Sequence, residues 1–260
     1  MLAKLFNRPR PAPAPTRLAR PIYAIGDLHG EAELATQLVQ QIASEIDGLE
    51  AGADVVFLGD YIDRGPRSRQ TLDGLLETER AFKQRGCAIH LVLGNHEVKL
   101  LRFLEYPVNN RDWLMMGGTA TLKSYGIEVA TPYVSDRQAK ALAAELEYAM
   151  PSSHAELMHR LSPYVVLGPY FFCHAGVDPE RPLNRQLGKD LTAIREPFLS
   201  WRQPLEKLIV HGHTPTERPY CDGVRIGIDT GAYYSGVLTG VVLTDNAPRF
   251  LTAERLMAAV

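Results

Sequence analysis

Residues 21–30 read PIYAIGDLHG, residues 54–65 read DVVFLGDYIDRG and residues 88–97 read AIHLVLGNHE. In each segment a short apolar run is followed by glycine and then by polar side chains. Runs of four to six residues rich in Val, Ile, Leu and Phe are typical of buried strands. Between the first two segments, apolar residues recur at every fourth position from Leu34 to Ile46, as on one face of an amphipathic helix. Strands that alternate with helices predict an α/β fold with parallel crossovers.

Three later segments follow the same pattern: residues 170–176 (YFFCHAG), 207–213 (KLIVHGH) and 225–231 (RIGIDTG). In open α/β sheets, polar residues just beyond the strand ends converge on one crevice. We therefore expect the six segments to bring one set of polar side chains together. The set comprises Asp27, His29, Asp60, Asp63, Arg64, Asn95, His96, His174, His211 and His213.

This set offers carboxylate, amide and imidazole groups but no thiolate, which suits Mn²⁺, Fe or Zn²⁺. Asp27 and His29 come from one turn and can bind the same ion, whereas the carboxylate of Asp60 can bridge two ions. Two ions roughly 3.5–4 Å apart suit displacement at phosphorus, because they bind the attacking and the leaving oxygen together. The residues alone therefore favour a dinuclear metal site that cleaves phosphate esters.

The motifs GDxHG, GDxxDRG and GNHE occur in this order, with 33 residues from Asp27 to Asp60 and 35 from Asp60 to Asn95. With them, the chain resembles the calcineurin-like metallophosphoesterases. DRG after GDYI and Glu after GNH are typical of the phosphoprotein phosphatase branch, which includes eukaryotic Ser/Thr phosphatases and their bacterial and bacteriophage relatives. The resemblance covers about residues 22–244. It implies an α/β fold of two sheets packed face to face and flanked by helices, with a dinuclear metal site at the carboxyl ends of the strands.

The resemblance also implies two divalent metal ions, with Mn²⁺ expected ahead of Fe or Zn²⁺. One ion is expected on Asp27, His29 and Asp60. Asp60 is expected to bridge to the second ion, whose other ligands the family pattern assigns to Asn95, His174 and His213.

By the same resemblance, His96 is the general acid that protonates the leaving oxygen, and Asp63 orients it. This pairing also makes chemical sense by itself, because a carboxylate fixes the imidazole tautomer and keeps the ring protonated near neutral pH. Arg64 resembles the guanidinium that binds phosphate oxygens. A second such arginine precedes the last histidine ligand in the family, and Arg195 is expected there rather than Arg202.

Two further positions involve a choice between neighbours. The family register of GHT points to His213 as the metal ligand and leaves His211 a structural role. Tyr234 stands where the family often has a tyrosine beside the phosphate, and Tyr233 is the rival position.

Residues 98–165 depart from the strand–helix alternation and predict a helical cap insertion within a single domain of residues 21–260. Its sequence DRQAKALAAELEYAMPSSHAELMHRL reads as helices split at Pro151, with His154 expected on a solvated face. Residues 113–126, WLMMGGTATLKSYG, are expected to form a glycine-containing loop that leads into a helix. Trp113 is expected to pack the cap.

The main functional hypothesis is a metal-dependent phosphomonoesterase that hydrolyses phosphoserine or phosphothreonine in proteins by direct attack of a metal-bridging hydroxide. Residues 113–126 favour it, because bacterial and phage protein phosphatases commonly share their pattern of Trp, Gly-Gly, Thr and Ser-Tyr-Gly. The alternative is a symmetrical diadenosine tetraphosphate hydrolase, which has nearly the same motifs. Phosphotyrosine also remains open as a substrate. A non-catalytic metal-binding module is disfavoured, because every expected position is filled.

Composition narrows the function classes further. The 260 residues carry 28 Lys and Arg against 30 Asp and Glu, so no global field selects a nucleic acid polymer. No apolar run is long enough for a membrane span. Three dispersed cysteines argue against a disulfide framework and favour the cytoplasm. Residues 1–20, rich in Pro and Arg, predict a disordered leader. The partners expected are a phosphoprotein or phosphopeptide substrate and, in addition, a separate regulatory subunit.

Overall fold

Strands and helices alternate along residues 18–255, the part of the chain that the computed structural model describes. Within it the strands are β1 (Ile22–Ile25), β2 (Asp54–Phe57), β3 (Ala88–Leu91), β4 (Tyr164–Leu167), β5 (Tyr170–Cys173), β6 (Leu208–His211), β7 (Tyr220–Cys221), β8 (Arg225–Gly227), β9 (Val237–Leu243) and β10 (Arg249–Glu254). The helices are α1 (Ala32–Ile46), α2 (Ser68–Gln84), α3 (Asn95–Glu105), α4 (Thr119–Ser124), α5 (Asp136–Ala149), α6 (Ser152–His159), α7 (Gly188–Ala193) and α8 (Ala232–Ser235). A π-helical turn spans Leu114–Gly118 and a 3₁₀ turn spans Leu183–Arg185.

The strands form two five-stranded mixed sheets. The first has the order β10-β9-β1-β2-β3, and the second has the order β4-β5-β6-β8-β7. The strands β1, β2 and β3 are parallel, as are β5, β6 and β8, whereas each sheet carries antiparallel strands towards its edges. The three parallel strands of each sheet lie side by side, with β3 at the edge of the first sheet, and it is these strands that end in the polar motifs.

The two sheets pack face to face because side chains alternate along each strand. Ile22 and Ala24 of β1 belong to the apolar cluster between the sheets, together with Phe172 of the second sheet. Tyr23 and Ile25 point the other way, into a second cluster that includes the buried residues of α1 and α2. A third cluster covers the opposite face of the second sheet. The predicted α/β fold of two face-to-face sheets flanked by helices is confirmed.

The chain between β3 and β4 is largely helical and includes α3, α4, α5 and α6. Its buried residues, among them Leu100 and Leu146, join the same apolar cluster as the outer face of the first sheet. The helices therefore share a core with the sheet instead of forming one of their own. The helices α5 and α6 lie on either side of Pro151, as the sequence predicts, since proline lacks the N–H that a continuous helix needs.

The prediction for His154 was wrong. The ring is buried, and its Nδ1 lies 2.7 Å from Tyr125 Oη while its Nε2 lies 3.0 Å from Asp73 Oδ1. These contacts join α6 to α2, so the imidazole packs inward where its two nitrogens are satisfied.

The predicted leader lies mostly outside the described residues, with only its last three residues inside. Leu18 packs against the cluster between the sheets, and Arg20 pairs with Asp54 at the start of β2. No helix within residues 18–255 combines the length and the apolar character that crossing a bilayer requires.

Candidate metal centre

The carboxyl ends of the central strands of both sheets meet at one site. Asp27 and His29 follow β1, Asp60 follows β2, His174 follows β5 and His213 follows β6. The backbone bends sharply there. Within residues 18–255, every non-glycine residue with a left-handed φ lies at this site, namely His29, Asp60, Asp63, Arg64 and His213. Residues held in this sparsely populated region cluster at functional sites, where the surrounding structure holds them in place.

Two groups of donors overlap at Asp60, and all their residues are buried except the half-buried His213. One group is formed by His29, Asp60 and His96, and the other by Asp60, His174 and His213, with the donor atoms of each group within 4.8 Å of one another. Asp60 Oδ2 lies 3.5 Å from His29 Nε2 and 3.3 Å from His174 Nε2. One carboxylate thus faces imidazoles of both groups.

Asn95 and Asp27 border these groups. Asn95 Oδ1 lies 3.0 Å from His174 Nε2 and 2.8 Å from His213 Nδ1. The carboxylate of Asp27 accepts the backbone N–H of His213 at 3.0 Å. Gly212 allows this approach, because a Cβ there would lie 2.0 Å from Asp27 Oδ1.

The charges and donors of the site fit divalent cations. Burial raises the pKa of Asp27 well above its ordinary value, and the neighbouring carboxylate of Asp229 raises it further. Within the described chain, Nε2 of His96 and Nε2 of His213 are buried without a hydrogen-bond partner. Nitrogen and oxygen donors without thiolate suit hard or borderline ions. A carboxylate shared by two donor groups is compatible with two such ions.

His96 and Asp63 form a fully buried pair, with His96 Nδ1 2.7 Å from Asp63 Oδ2. Two donors from the helical segment fix the same carboxylate. Trp113 Nε1–H donates to Oδ2 at 2.8 Å, and Thr121 Oγ1–H donates to Oδ1 at 2.6 Å. Burial lowers the pKa of His96, but the carboxylates of Asp60 and Asp63 outweigh that effect and raise it overall. The pair can therefore keep a proton on His96, which leaves Nε2 facing the site.

Glu97 holds the loop that carries Asp60. Its carboxylate accepts the backbone N–H groups of Asp60 at 2.9 Å, Tyr61 at 2.8 Å and Gly94 at 3.1 Å. Burial, followed by the charge of Asp60, raises the pKa of Glu97 to about 7. The side chain thus links the GDxxDRG loop to the GNHE turn.

Arg64 lies at the outer side of the site and is exposed. Its Nη1 is 3.1 Å from His29 Nε2, and its guanidinium stacks 4.9 Å from the centroid of the Tyr233 ring. Tyr233 also packs edge-on against His29, at 5.4 Å between ring centroids. Tyr234 lies one ring further out and is 60% exposed. Of the two tyrosines, Tyr233 makes the contacts with Arg64 and His29.

The other pairs of candidates also occupy different environments. Arg195 is exposed. Burial lowers the pKa of His213 to about 3, and the charge of Arg195 makes a smaller contribution in the same direction. Arg202 instead donates to the carbonyls of Leu199 and Trp201. His211 Nε2 lies 3.1 Å from Tyr220 Oη, so this imidazole is held within the second sheet.

Sequence reasoning missed three residues at the site. Trp113 was expected only to pack, Thr121 was noted only as part of the pattern over residues 113–126, and Asp229 was given no role. The repeated pattern of an apolar run and a polar end marked Asp229 as much as it marked the histidines. For Trp113 and Thr121 the available signal was the motif itself, since the two residues recur at fixed positions around Gly-Gly.

Comparisons with known proteins identify the family of this chain. The family model described as calcineurin-like phosphoesterase matches residues 20–235. The chain is 28% identical over 243 residues to the asymmetrical bis(5'-nucleosyl)-tetraphosphatase PrpE of Bacillus velezensis, which covers 83% of this chain and 86% of that protein. It is 28% identical over 269 residues to a symmetrical bis(5'-nucleosyl)-tetraphosphatase of Janthinobacterium sp., which covers 86% of this chain and 93% of that protein.

The fold is shared with a crystal structure provisionally assigned as a diadenosine tetraphosphatase. The TM-score is 0.60 at 20% sequence identity, over 90% of this chain and 94% of that one. The family match extends over most of the chain and includes all the motifs that meet at the site. The chain therefore belongs to the calcineurin-like phosphoesterase family, whose members are dinuclear metal-dependent hydrolases.

Proposed function

We propose that this chain is a bis(5'-nucleosyl)-tetraphosphatase, which hydrolyses a phosphoanhydride bond of diadenosine tetraphosphate or a related dinucleotide. The observation that carries the substrate class is the match to symmetrical and asymmetrical enzymes of that name along more than 80% of both chains. The sequence alone favoured phosphoserine and phosphothreonine, and the relatives favour the hypothesis that ranked second.

The contacts of residues 113–126 explain why that segment is a weak guide to substrate. Trp113 and Thr121 both donate to the Asp63 carboxylate. Gly118 packs under the indole of Trp113, where a Cβ would lie 2.5 Å from ring atoms. Trp113 and Thr121 therefore orient the candidate acid through Asp63, and the same bonds would serve any phosphoesterase that has this acid, whatever its substrate. A protein phosphatase is therefore kept as the second candidate, on the motif alone.

We assign two divalent ions to the site, with Asp60 in both ligand sets. The residues that would hold them are Asp27, His29, Asp60, Asn95, His174 and His213. Bound ions supply the positive charge that lowers the pKa of an attacking water and neutralises phosphoryl oxygens. Mn²⁺, Fe and Zn²⁺ all suit these donors, with Mn²⁺ our first expectation.

His96 acts as general acid in this proposal. Its Nδ1–H donates to Asp63, so the proton to be transferred sits on Nε2, which has no hydrogen-bond partner within the described chain and lies 3.9 Å from Asp60 Oδ2. That proton passes to the oxygen of the departing nucleotide. Asp63 fixes the ring, and its charge keeps the imidazolium favourable until the transfer.

Arg64 and Arg195 bind phosphoryl oxygens in this scheme, because a guanidinium stays charged and presents paired N–H groups. Tyr233 fixes Arg64 through the stacked contact. Tyr234, the residue favoured by the sequence, is exposed beside it and is proposed to contact the substrate beyond the phosphate.

The test is a substrate comparison with chelator-treated enzyme reloaded with Mn²⁺. We expect kcat/KM for diadenosine tetraphosphate to exceed that for phosphoserine, phosphothreonine and phosphotyrosine peptides. Chromatography of the products separates a symmetrical cut, giving two ADP, from an asymmetrical one, giving AMP and ATP. A preference for the peptides would overturn the substrate class and leave the metal and acid assignments standing.

The variant His96→Asn tests the assignment of His96 as the general acid. It should reduce turnover by about 10²–10⁴-fold while metal content stays near two ions per chain. Since His96 Nε2 also lies within one donor group, loss of one ion in this variant would make the residue a ligand instead.

A further inference from the structure

A groove of about 260 Å³ opens beside the candidate metal centre. Three guanidinium groups line it, those of Arg64, Arg67 and Arg255, together with the ring of Tyr233. Arg64 links the groove to the centre, because its Nη1 lies 3.1 Å from His29 Nε2. An anionic ligand bound at the centre can therefore extend directly into this groove.

We propose that the groove is a polyphosphate subsite, in which Arg67 binds a phosphate of the substrate other than the one attacked. The proposal rests on the proposed function, because a single phosphoryl group would not reach beyond Arg64. The groove would thus be the part of the protein that distinguishes a dinucleoside polyphosphate from a simple phosphomonoester.

Arg67 is anchored at a fixed place relative to the centre. Its backbone N–H donates to Gly30 O at 3.1 Å, and the N–H of Gly65 donates to His29 O at 3.0 Å. The two glycines keep the floor of the groove free of side chains. A Cβ on Gly65 would lie 2.1 Å from His29 O, and Gly30 has a φ of +68°. The loop that bears Arg67 is thus tied to the turn that bears His29.

The side chain of Arg67 is free to exchange its partner. It pairs with Glu33 through Nη1, and the two side chains are 48% and 68% exposed. Exposed ion pairs of this kind contribute little to stability. A phosphate group accepts two N–H bonds from one guanidinium, and the neighbouring phosphates of a polyphosphate add their charges to its own. Replacement of Glu33 by phosphate is therefore favourable.

Arg255 forms an ion pair with Glu31 in the wall of the groove and is not proposed to bind phosphate. It donates to Glu31 Oε2 at 2.6 Å, and the side chain of Glu31 is only 10% exposed. The carboxylate of Glu31 therefore stays in the wall, and Arg255 neutralises it. Three guanidinium groups against two carboxylates leave the groove positive.

The experiment compares Arg67→Gln with Arg85→Gln as the matched control. Arg85 pairs with Asp47 on another surface, and its side chain is 40% exposed. We expect Arg67→Gln to raise KM for diadenosine tetraphosphate about five- to tenfold. Both kcat and KM for p-nitrophenyl phosphate should stay unchanged, because that substrate has a single phosphoryl group. Arg85→Gln should leave KM and kcat unchanged for both substrates. Glu33→Gln frees Arg67 and should lower KM for the dinucleotide about twofold.

Inhibition of p-nitrophenyl phosphate hydrolysis separates failure of the subsite from failure of the proposed function. Inorganic tripolyphosphate and orthophosphate are the inhibitors, with Mn²⁺ in excess so that chelation affects all variants equally. If the native chain does not cleave the dinucleotide but Arg67→Gln weakens inhibition by tripolyphosphate alone, the subsite stands and the proposed function fails. If Arg67→Gln behaves like Arg85→Gln in both assays, the subsite is wrong.

Discussion

The strand β2 carries an Asp–His cluster at each of its ends, and the two clusters differ in how their charge is balanced. At its start, Asp54 binds Arg20 through both carboxylate oxygens and lies 2.8 Å from His90 Nε2. Beyond its other end, Asp60 faces His29 and His174, and no arginine or lysine among residues 18–255 forms an ion pair with it. Both clusters contain aspartate and histidine, but only the first contains an arginine bound to its aspartate.

The difference teaches how a structural ion network is distinguished from a metal centre. Arg20 satisfies Asp54, so the first cluster is complete as it stands. At the second cluster the carboxylates of Asp27 and Asp60 are buried near each other, and two imidazole nitrogens lack a hydrogen-bond partner within the described chain. A cluster that needs a cation which the described chain does not supply is the better candidate for a metal site.

The comparison is tested most severely by Asp60→Asn. Because the proposed bridge serves both ions, we expect both metal sites to lose occupancy and activity to fall by at least about 10³-fold, several kcal/mol of transition-state stabilisation. Elemental analysis and steady-state kinetics measure the two effects. Loss of one ion alone would argue against the bridge. The matched change at the other end of β2, Asp54→Asn, should leave metal content and kcat unchanged.

A smaller effect is expected from the residues that hold Asp63. Trp113→Phe and Thr121→Val each remove one hydrogen bond to the carboxylate that orients His96. We expect a loss of about 10–100-fold with phenyl phosphate and a clearly smaller loss with p-nitrophenyl phosphate, whose leaving group needs little protonation. Metal content should stay constant. Equal losses with both esters would show that the two residues act on folding or binding and not through the acid.

The smallest expected effect is on the pH dependence of the free energy of unfolding, and it concerns the cluster at the start of β2. Burial raises the pKa of Asp54, but the bonds from Arg20 and His90 outweigh it and hold the pKa below its ordinary value of 3.8. The stability that this carboxylate contributes is therefore present above its unfolded-state pKa and is lost as the pH falls through the folded-state pKa. Urea unfolding of Arg20→Gln should show a deficit of about 1 kcal/mol at pH 7. That deficit should shrink below about pH 4, and a deficit that is constant with pH would rule out this ion pair as its source.

The sequence predicted the parallel strands well because each ends in a motif with its own chemistry. The strands β1, β2, β3, β5, β6 and β8 all lie in segments singled out by that pattern. The antiparallel strand β9 was not singled out, although residues 237–243 are strongly apolar, since no polar motif follows it. The second sheet was expected from the family resemblance and not from periodicity.

The candidate site was predictable as a set of residues but not as a set of contacts. The donor types and their order along the chain pointed to Asp60 and the histidines. The bond from Trp113 to Asp63 spans 50 residues, so local pattern could not reveal it. His154 was misplaced for the same reason, because its partners Tyr125 and Asp73 come from other elements.

The bonds from Trp113 and Thr121 to Asp63 also limit how the enzyme can be redesigned. Exchange of the segment between α3 and β4 for that of a relative is one way to seek a new substrate range without touching Asn95 and His96. In this chain that segment carries two supports of the candidate acid. A graft that omits them would lose rate with every substrate that depends on the acid, whereas a graft that keeps residues 113–121 and replaces only α5 and α6 would leave both bonds to Asp63 in place.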